Sequence, residues 1–467
     1  MKLNKLLLTA AVTTTLLGLG VGCGGKTVTI WVGKESAGFY QDVVSRWIVN
    51  NSEKYGGYKV NVVAADTGAA AGVMMADVEA AGDIITVAHD NIGKLVSGYY
   101  IAPIVSTPLE TQVQNDNPAS FLDVIYYDAP GTTSNFLYAV PYISQALVLY
   151  YNSEKVTAEQ AKSFEGLREA AIANNAKAVV STGTDGFNFS YTVLARNAET
   201  NTSSVKLYEN FSKKNCFFQG EDTVAVTQWA QRMFADPNGC AFPGSTPWET
   251  MLANQEALAV VGGAWQFDAV KSALGVSNIA ATVLPTFTLN AEDVRNTTVP
   301  AGTKMQAGTF ADCKAFVLNK GVEGEKYDLC VDLMQYLSSA EVQEQSFIEC
   351  LNVPALKGAD EFVKQAYLDG KVGRTEYEMA SAQIKMAEYG MPQPINSAVL
   401  NNYYYQKGAP DVYKAIIVNE ADTNGVRPYD TTEQIRAGLY QIQHIWEKGK
   451  LPTAEEMPTT FPTDIVD

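Results

Sequence analysis

Histidine is nearly missing from this chain, with two in 467 residues, His89 and His444, far apart. A catalytic metal centre built on imidazoles therefore lacks its ligands, and neither a metal nor a cofactor is expected. Cysteine is scarce as well, six in all and none with zinc-ligand spacing. Beyond Cys23, the five others are Cys216, Cys240, Cys313, Cys330 and Cys350, an odd number that leaves at least one thiol unpaired in a secreted chain. Cys216 and Cys240 are candidates for a bridge, and the rest read as small buried apolar residues. Basic residues are outnumbered, 34 against 51 acidic, for a formal charge of −17. An acidic surface repels nucleic acid and anionic membrane, so neither is expected as a partner. The sequence holds no nucleophile-elbow G-x-S-x-G with a triad, no Walker motif, no G-x-G-x-x-G after a strand and no H-E-x-x-H. It also has no tandem repeat, no long linker and, past the first residues, no long apolar run.

Residues 1–22 read as a secretory signal peptide. Lys2 and Lys5 form the basic region, Leu6 to Leu19 the short apolar region, and small residues follow. The segment runs into "LGVGCGGK", where Cys23 directly follows Gly22. That arrangement predicts lipidation at Cys23, although Gly20 stands where a leucine is usual. Losing this segment removes two lysines and no acid, so the mature chain is more acidic still.

What remains is too long for one hydrophobic core, and two lobes are expected. "TVTIWV" (27–32), "YKVNVVAAD" (58–66) and "DIITVAHD" (83–90) read as strands. They are separated by a helix reaching about Lys54 and by "GVMMADVEAAG". Strand, helix, strand, helix, strand is the pattern of an open parallel α/β sheet, which binds ligands beyond the carboxyl ends of its strands. His89, Asp90 and Asn91 fall at such an end. Further strands are expected at 144–152, 176–183, 279–287 and in "ADCKAFVLNK". "GFNFSYTVLARNAET" reads as a loop turning into a helix. Helices are expected near 157–174, 222–235, 247–255 and over most of the chain from "EKYDLCVDLMQYLSS" to 450. The tail 451–467 is rich in proline and acid and reads as partly unordered.

Several landmarks occur in one order: "DIITVAHDNIG" with "SGYYIAPI", "YAVPYISQALVLYYNSEKV", "EALAVVGGAWQFDAV" with "VLPTF", then "NVPAL" and a late tyrosine-rich segment. Together they resemble the extracellular solute-binding proteins of ABC sugar importers, in particular the maltose/maltodextrin-binding branch. The resemblance spans essentially the whole mature chain. It implies a two-lobed α/β fold of the periplasmic-binding-protein type, with a ligand cleft between lobes and capture by hinge closure. The chain would act as a monomer at the outer face of the plasma membrane, held by its lipid, and would pass an oligosaccharide to permease subunits. The implied division is a linker at 23–26, a first lobe of 27–140 plus 285–335, and a second lobe of 141–284 plus 336–450. Crossings are expected near Tyr138–Pro141, near Leu284–Phe287 and beyond Phe316.

A sugar offers hydroxyls at its rim and C–H patches on its faces, so its receptor needs short carboxylates or amides and flat aromatic rings. The resemblance assigns Asp90 as a hydroxyl acceptor; by itself Asp90 also suits the cap of a helix starting near Gly93. Trp265, after Gly262 and Gly263, matches the family's stacking tryptophan, with Phe267 a second wall or a core residue. Glu35 lies near the family's first acidic contact. Gln145 and Asn91 stand where the maltose branch carries glutamate and arginine, and Val87 where it carries tryptophan. These departures point away from maltose itself while leaving an oligosaccharide as cargo. Asn188 and Tyr191 are expected at the second lobe, the latter equally a core residue, and Tyr404 on the late aromatic segment. His89 reads as structural. Two rivals stay open. A carbohydrate hydrolase has Asp90, Glu35, Asp83 and Asp185 to recruit, but no spacing sets two across a bond. A polyamine or peptide receptor of the same fold would also suit an acidic, aromatic cleft.

Overall fold

The computed structural model describes residues 26–208, 215–392 and 408–464. In the first sheet, β1 (Lys26–Gly33) and β2 (Tyr58–Ala65) run parallel and in register from Lys26 against Tyr58 to Gly33 against Ala65. β3 (Ile84–Ala88) lies parallel on the other side of β1. Ile84, Ile85 and Val87 have no exposed surface, as a parallel strand covered on both faces requires. The crossovers are α1 (Ala37–Asn50) and α2 (Thr67–Ala76). α2 starts well ahead of the segment expected for it, because Asp66 caps it. The Asp66 carboxylate accepts from the backbone N–H groups of Gly68 and Ala69 at 2.9 and 3.2 Å, meeting two donors that a helix start leaves open.

β4 (Ala139–Gln145) leads out of this sheet, and β5 (Val148–Asn152), β6 (Lys177–Ser181), β7 (Ala257–Gly262) and β8 (Ile279–Thr282) build the second. Its order is Cys240–Ala241, β6, β7, β5, β8. β6 and β7 are parallel, while β5 runs antiparallel to β7 and β8. α3 (Phe164–Asn174), α4 (Glu221–Ala235) and α5 (Phe267–Leu274) belong to this half. β9 (Phe310–Asn319) then returns to the first sheet and inserts between β3 and β4, antiparallel to both.

Each sheet carries its own core. One runs from Val28 to Ile143 and resumes at Cys313; the other runs from Ala146 to Phe310 and resumes at Phe347. This is the two-lobed α/β arrangement expected. The middle crossing differs from the expected one near Leu284–Phe287. Phe287, Leu289, Met305 and Ala307 pack in the second core, because the strands Thr286–Thr288 and Lys304–Ala307 pair with each other there. The chain therefore re-enters the first core on β9, between Phe310 and Cys313.

The helix expected within "GFNFSYTVLARNAET" is replaced by a single turn, Ser190–Thr192, and a short strand, Ala195–Asn197. The apolar residues at this point (Phe189, Val193, Leu194) all face the core, and a tight turn buries them where a helix would leave one face in water. Cys240 is buried and in no disulfide, so it does not bridge to Cys216; burial pushes its thiol up to about 12. Among the described residues no helix is long and apolar enough to cross a membrane.

Candidate functional site

A cavity of about 520 Å³ opens between the two cores. It is walled by the carboxyl ends of β1, β2, β3, β6 and β7, and by β9. The sequence uses one local device repeatedly. A strand ends, a single 3-10 turn follows, and a helix leads away: Lys34–Ser36 after β1, His89–Asn91 after β3, Ala264–Gln266 after β7. The turn delivers one side chain to the cavity in each case, namely Glu35, Asp90 and Trp265.

Trp265 keeps 46% of its surface exposed. Its six-membered ring lies on Gly263 so closely that a Cβ there would come within 2.2 Å of it. Gln266 fixes the turn by accepting from the Gly263 N–H at 2.9 Å. Phe187 continues the aromatic wall, its ring centre 5.7 Å from that of Trp265 and tilted by 48°. Phe267, one turn on, is 2% exposed and belongs to the core.

On the facing wall, Glu35 is exposed and folds back over Gly33, where a Cβ would meet its carboxylate at 2.5 Å. Asp90 is half-buried and accepts from the Asn91 amide at 2.9 Å. Asn91, not Asp90, stands at the N-cap of the helix that follows. Burial lifts the Asp90 carboxyl above the ordinary aspartate range, opposed by His89, reinforced by the nearby charge of Asp312 and opposed by Lys94. Beneath it His89 is 1% exposed, its Nδ1 3.3 Å from an Asp312 oxygen. Lys314, on β9 beside Asp312, lines the same cavity; burial pulls its ammonium down, while Glu35, Asp312 and Asp66 hold it up.

Gln145 and Asn188 also line the cavity. Asn188 is clamped, donating to Asp185 at 2.6 Å and accepting from the Thr182 hydroxyl at 2.9 Å. Asp185 in turn accepts from the backbone N–H groups of Phe187 and Asn188, so this loop is held by its own carboxylate.

Two expected residues lie elsewhere. Tyr191 is fully buried, its hydroxyl 2.7 Å from that of Ser181 and its ring stacked on Phe164, which makes it a core residue of the second half. Asn91 is 6% exposed and turns its amide back to Asp90 and the Ala88 carbonyl, so it positions Asp90 instead of lining the cavity. Tyr404 and Cys23 lie outside the described residues. The lining residues not singled out for a binding role from the sequence include Asp66, Phe187, Asp312 and Lys314. Asp66 ends β2 just as Asp90 follows β3, so the strand-end rule that found one finds the other. Asp312 and Lys314 were visible as polar interruptions in the apolar strand "FADCKAFVLN". Among the described residues no group of three His, Cys, Asp or Glu side chains is placed to hold a metal.

Two α/β lobes around a polar, aromatic-walled cleft define a two-lobed binding protein of the periplasmic type. Residues 47–370 match the model of the bacterial extracellular solute-binding protein family, and the chain belongs to that family. It is thus a binding protein of the transport class, not an enzyme. Among solved structures it is similar to the maltodextrin-binding protein MalE1 of L. casei BL23 without ligand. There 20% of residues are identical over 91% of this chain and 100% of that one, with a TM-score of 0.69. It is also similar to the maltose-binding periplasmic protein MalE of Listeria monocytogenes in complex with maltose, at 18% identity over 91% and 99% of the chains, TM-score 0.63. A third is MalX of Streptococcus pneumoniae in complex with maltopentaose, at 17% identity over 89% and 99%, TM-score 0.62. At these identities the likeness to each is one of fold. No curated protein sequence matches the chain.

Proposed function

We propose that the chain is the receptor of an ABC importer for an oligosaccharide, held at the cell envelope by a lipid on Cys23. It would capture its ligand by lobe closure and hand it, as a monomer, to permease subunits. The observation that carries this reading is the meeting, around one cavity, of an exposed aromatic platform with short polar side chains. Trp265 and Phe187 form one wall, and Glu35, Asp90, Gln145 and Asn188 stand around it. The flat wall suits the C–H face of a pyranose ring, and the carboxylates and amides suit its hydroxyls. Asp90 and Glu35 accept from hydroxyls, Gln145 and Asn188 trim the rim, and Trp265 stacks. The fold neighbours named for maltodextrin, maltose and maltopentaose support a glucan as first candidate.

One observation favours a second reading, a polyamine. The cavity is lined by Glu35, Asp66, Asp90, Asp185 and Asp312 against Lys34 and Lys314. Asp66 and Asp185 are, however, already engaged by backbone N–H groups, which leaves less free negative charge than the count implies.

A thermal-shift screen decides. A ligand at 100 times its dissociation constant adds about 2.7 kcal/mol to stability, a shift of a few degrees. The expected result is a shift with linear glucans. A shift with spermidine and none with any sugar would replace this reading by the polyamine one.

A further inference from the structure

A second chamber, about 290 Å³ in volume, adjoins the first and shares Glu35, Gln145, Trp265 and Lys314 with it. Its floor is the ribbon where the chain passes between the cores. Ser144 and Gln145 lie on β4 and Leu351 to Val353 on the segment beside it, tied together by the Ser144 N–H donating to the Val353 carbonyl at 2.8 Å.

The polar groups here are arranged as acceptors. Gln383, on helix α6 (Arg374–Tyr389), is 1% exposed and donates its amide nitrogen to the Ser144 carbonyl. A carbonyl only accepts, so the orientation of that amide is fixed. Its oxygen is left buried without a donor. The Ser144 hydroxyl is also buried without a partner. Asn352 directs its amide nitrogen to the hydroxyls of Ser36 and Ser346, at 3.1 and 2.8 Å, so a ligand would meet it through oxygen. Burying acceptors unmet is costly, and the two on this chamber wall, Gln383 Oε1 and Ser144 Oγ, call for a donor from outside the chain.

We propose that this hinge-side chamber is a further subsite of the cleft, which takes one more hydroxyl-bearing unit of the ligand on Gln383 Oε1, Asn352 Oδ1 and Ser144 Oγ. The inference rests on the oligosaccharide reading above. A hydroxyl supplies the missing donors without charge, which suits a chamber where Lys314 stands against Glu35 and Asp268. A unit seated here touches both segments of the ribbon and therefore adds affinity only for ligands long enough to reach past Trp265.

The test is calorimetric titration of the purified protein with maltose, maltotriose and maltotetraose. Gln383→Met keeps the side chain's length and removes the acceptor together with the donor to the Ser144 carbonyl, so it is read beside the variant that follows. Ser144→Ala removes a hydroxyl that bonds nothing within the protein, so its melting temperature should match the parent. Each is expected to weaken the tetrasaccharide about threefold to tenfold, the range of one neutral hydrogen bond, and to leave maltose unchanged. Loss by the same factor at every length, or no loss at any, overturns the subsite while leaving the receptor reading in place. Failure of the parent protein to bind any of the three overturns the subsite together with the glucan assignment, and leaves the oligosaccharide reading to the wider screen.

Discussion

Replacing Trp265 by alanine is expected to weaken oligosaccharide binding about thirtyfold or more, the cost of removing a central aromatic anchor, with little change in melting temperature. The ring is almost half exposed, so the folded state loses little apolar burial with it. Its position depends on Gly263. That residue has ordinary backbone angles, φ −91° and ψ 174°, so alanine fits the backbone, but its Cβ would sit within 2.2 Å of the indole. Gly263→Ala should therefore tilt the platform and cost about tenfold in affinity, a partial version of the same loss. Titration calorimetry on both variants checks this. Normal binding by Trp265→Ala would remove the platform from the site.

The second large effect is expected at Asp90. Asp90→Asn keeps the shape and removes the charge, and should cost about tenfold to a hundredfold in affinity, as for a hydrogen bond to a charged group. Stability should move the other way. Burial has raised the folded-state pKa of this carboxyl, so the folded protein holds the proton more tightly than the unfolded chain does. The group's destabilising effect is absent below the ordinary aspartate value of about 3.9 and complete above the raised folded value. Stability linked to Asp90 therefore falls as pH rises through that window, and the asparagine variant should lose this descending component and melt no lower than the parent at neutral pH. Ligand hydroxyls favour the ionised form, so affinity should weaken as pH falls through the same window. Melting curves and titrations across pH 3.5 to 7 read both, and an Asp90→Asn protein that binds normally would sink the assignment.

The legible part of this molecule was what strand ends announce. "DIITVAHD" and "VVGGAWQ" each join a buried run to a polar or aromatic residue through a tight turn, and the fold brings both to the cavity. Glycine pairs before a tryptophan carry information because the ring needs the missing Cβ. Tyr191 stayed open between cleft and core because its burial depends on Phe164 and Ser181, of which Phe164 comes from a separate helix. The chamber at the hinge was invisible for the same reason. Gln383, Asn352 and Ser144 come from three stretches of chain, and what makes them a set is which of their atoms other residues already hold. The middle crossing was misplaced because "VLPTF" reads as a strand in either half, and only its pairing with Lys304–Ala307 decides.

β9 has a consequence for how the molecule comes together. It supplies the inner neighbour of both β3 and β4, yet it is made long after them. The second sheet, from β5 to β8, is contiguous in sequence. The order in which the two sheets close should therefore run against order of synthesis, although the second core is completed only by residues from Phe347 on. The half encoded first stays an open set of strands until residue 319 has emerged, because the non-local pairing must wait for its partner. Pulsed hydrogen exchange during refolding should find amides of β5 and β7 protected before those of β3. Newly made chain would thus spend most of its translation time without a finished amino-terminal domain, a delay that suits a polypeptide threaded across a membrane before it folds.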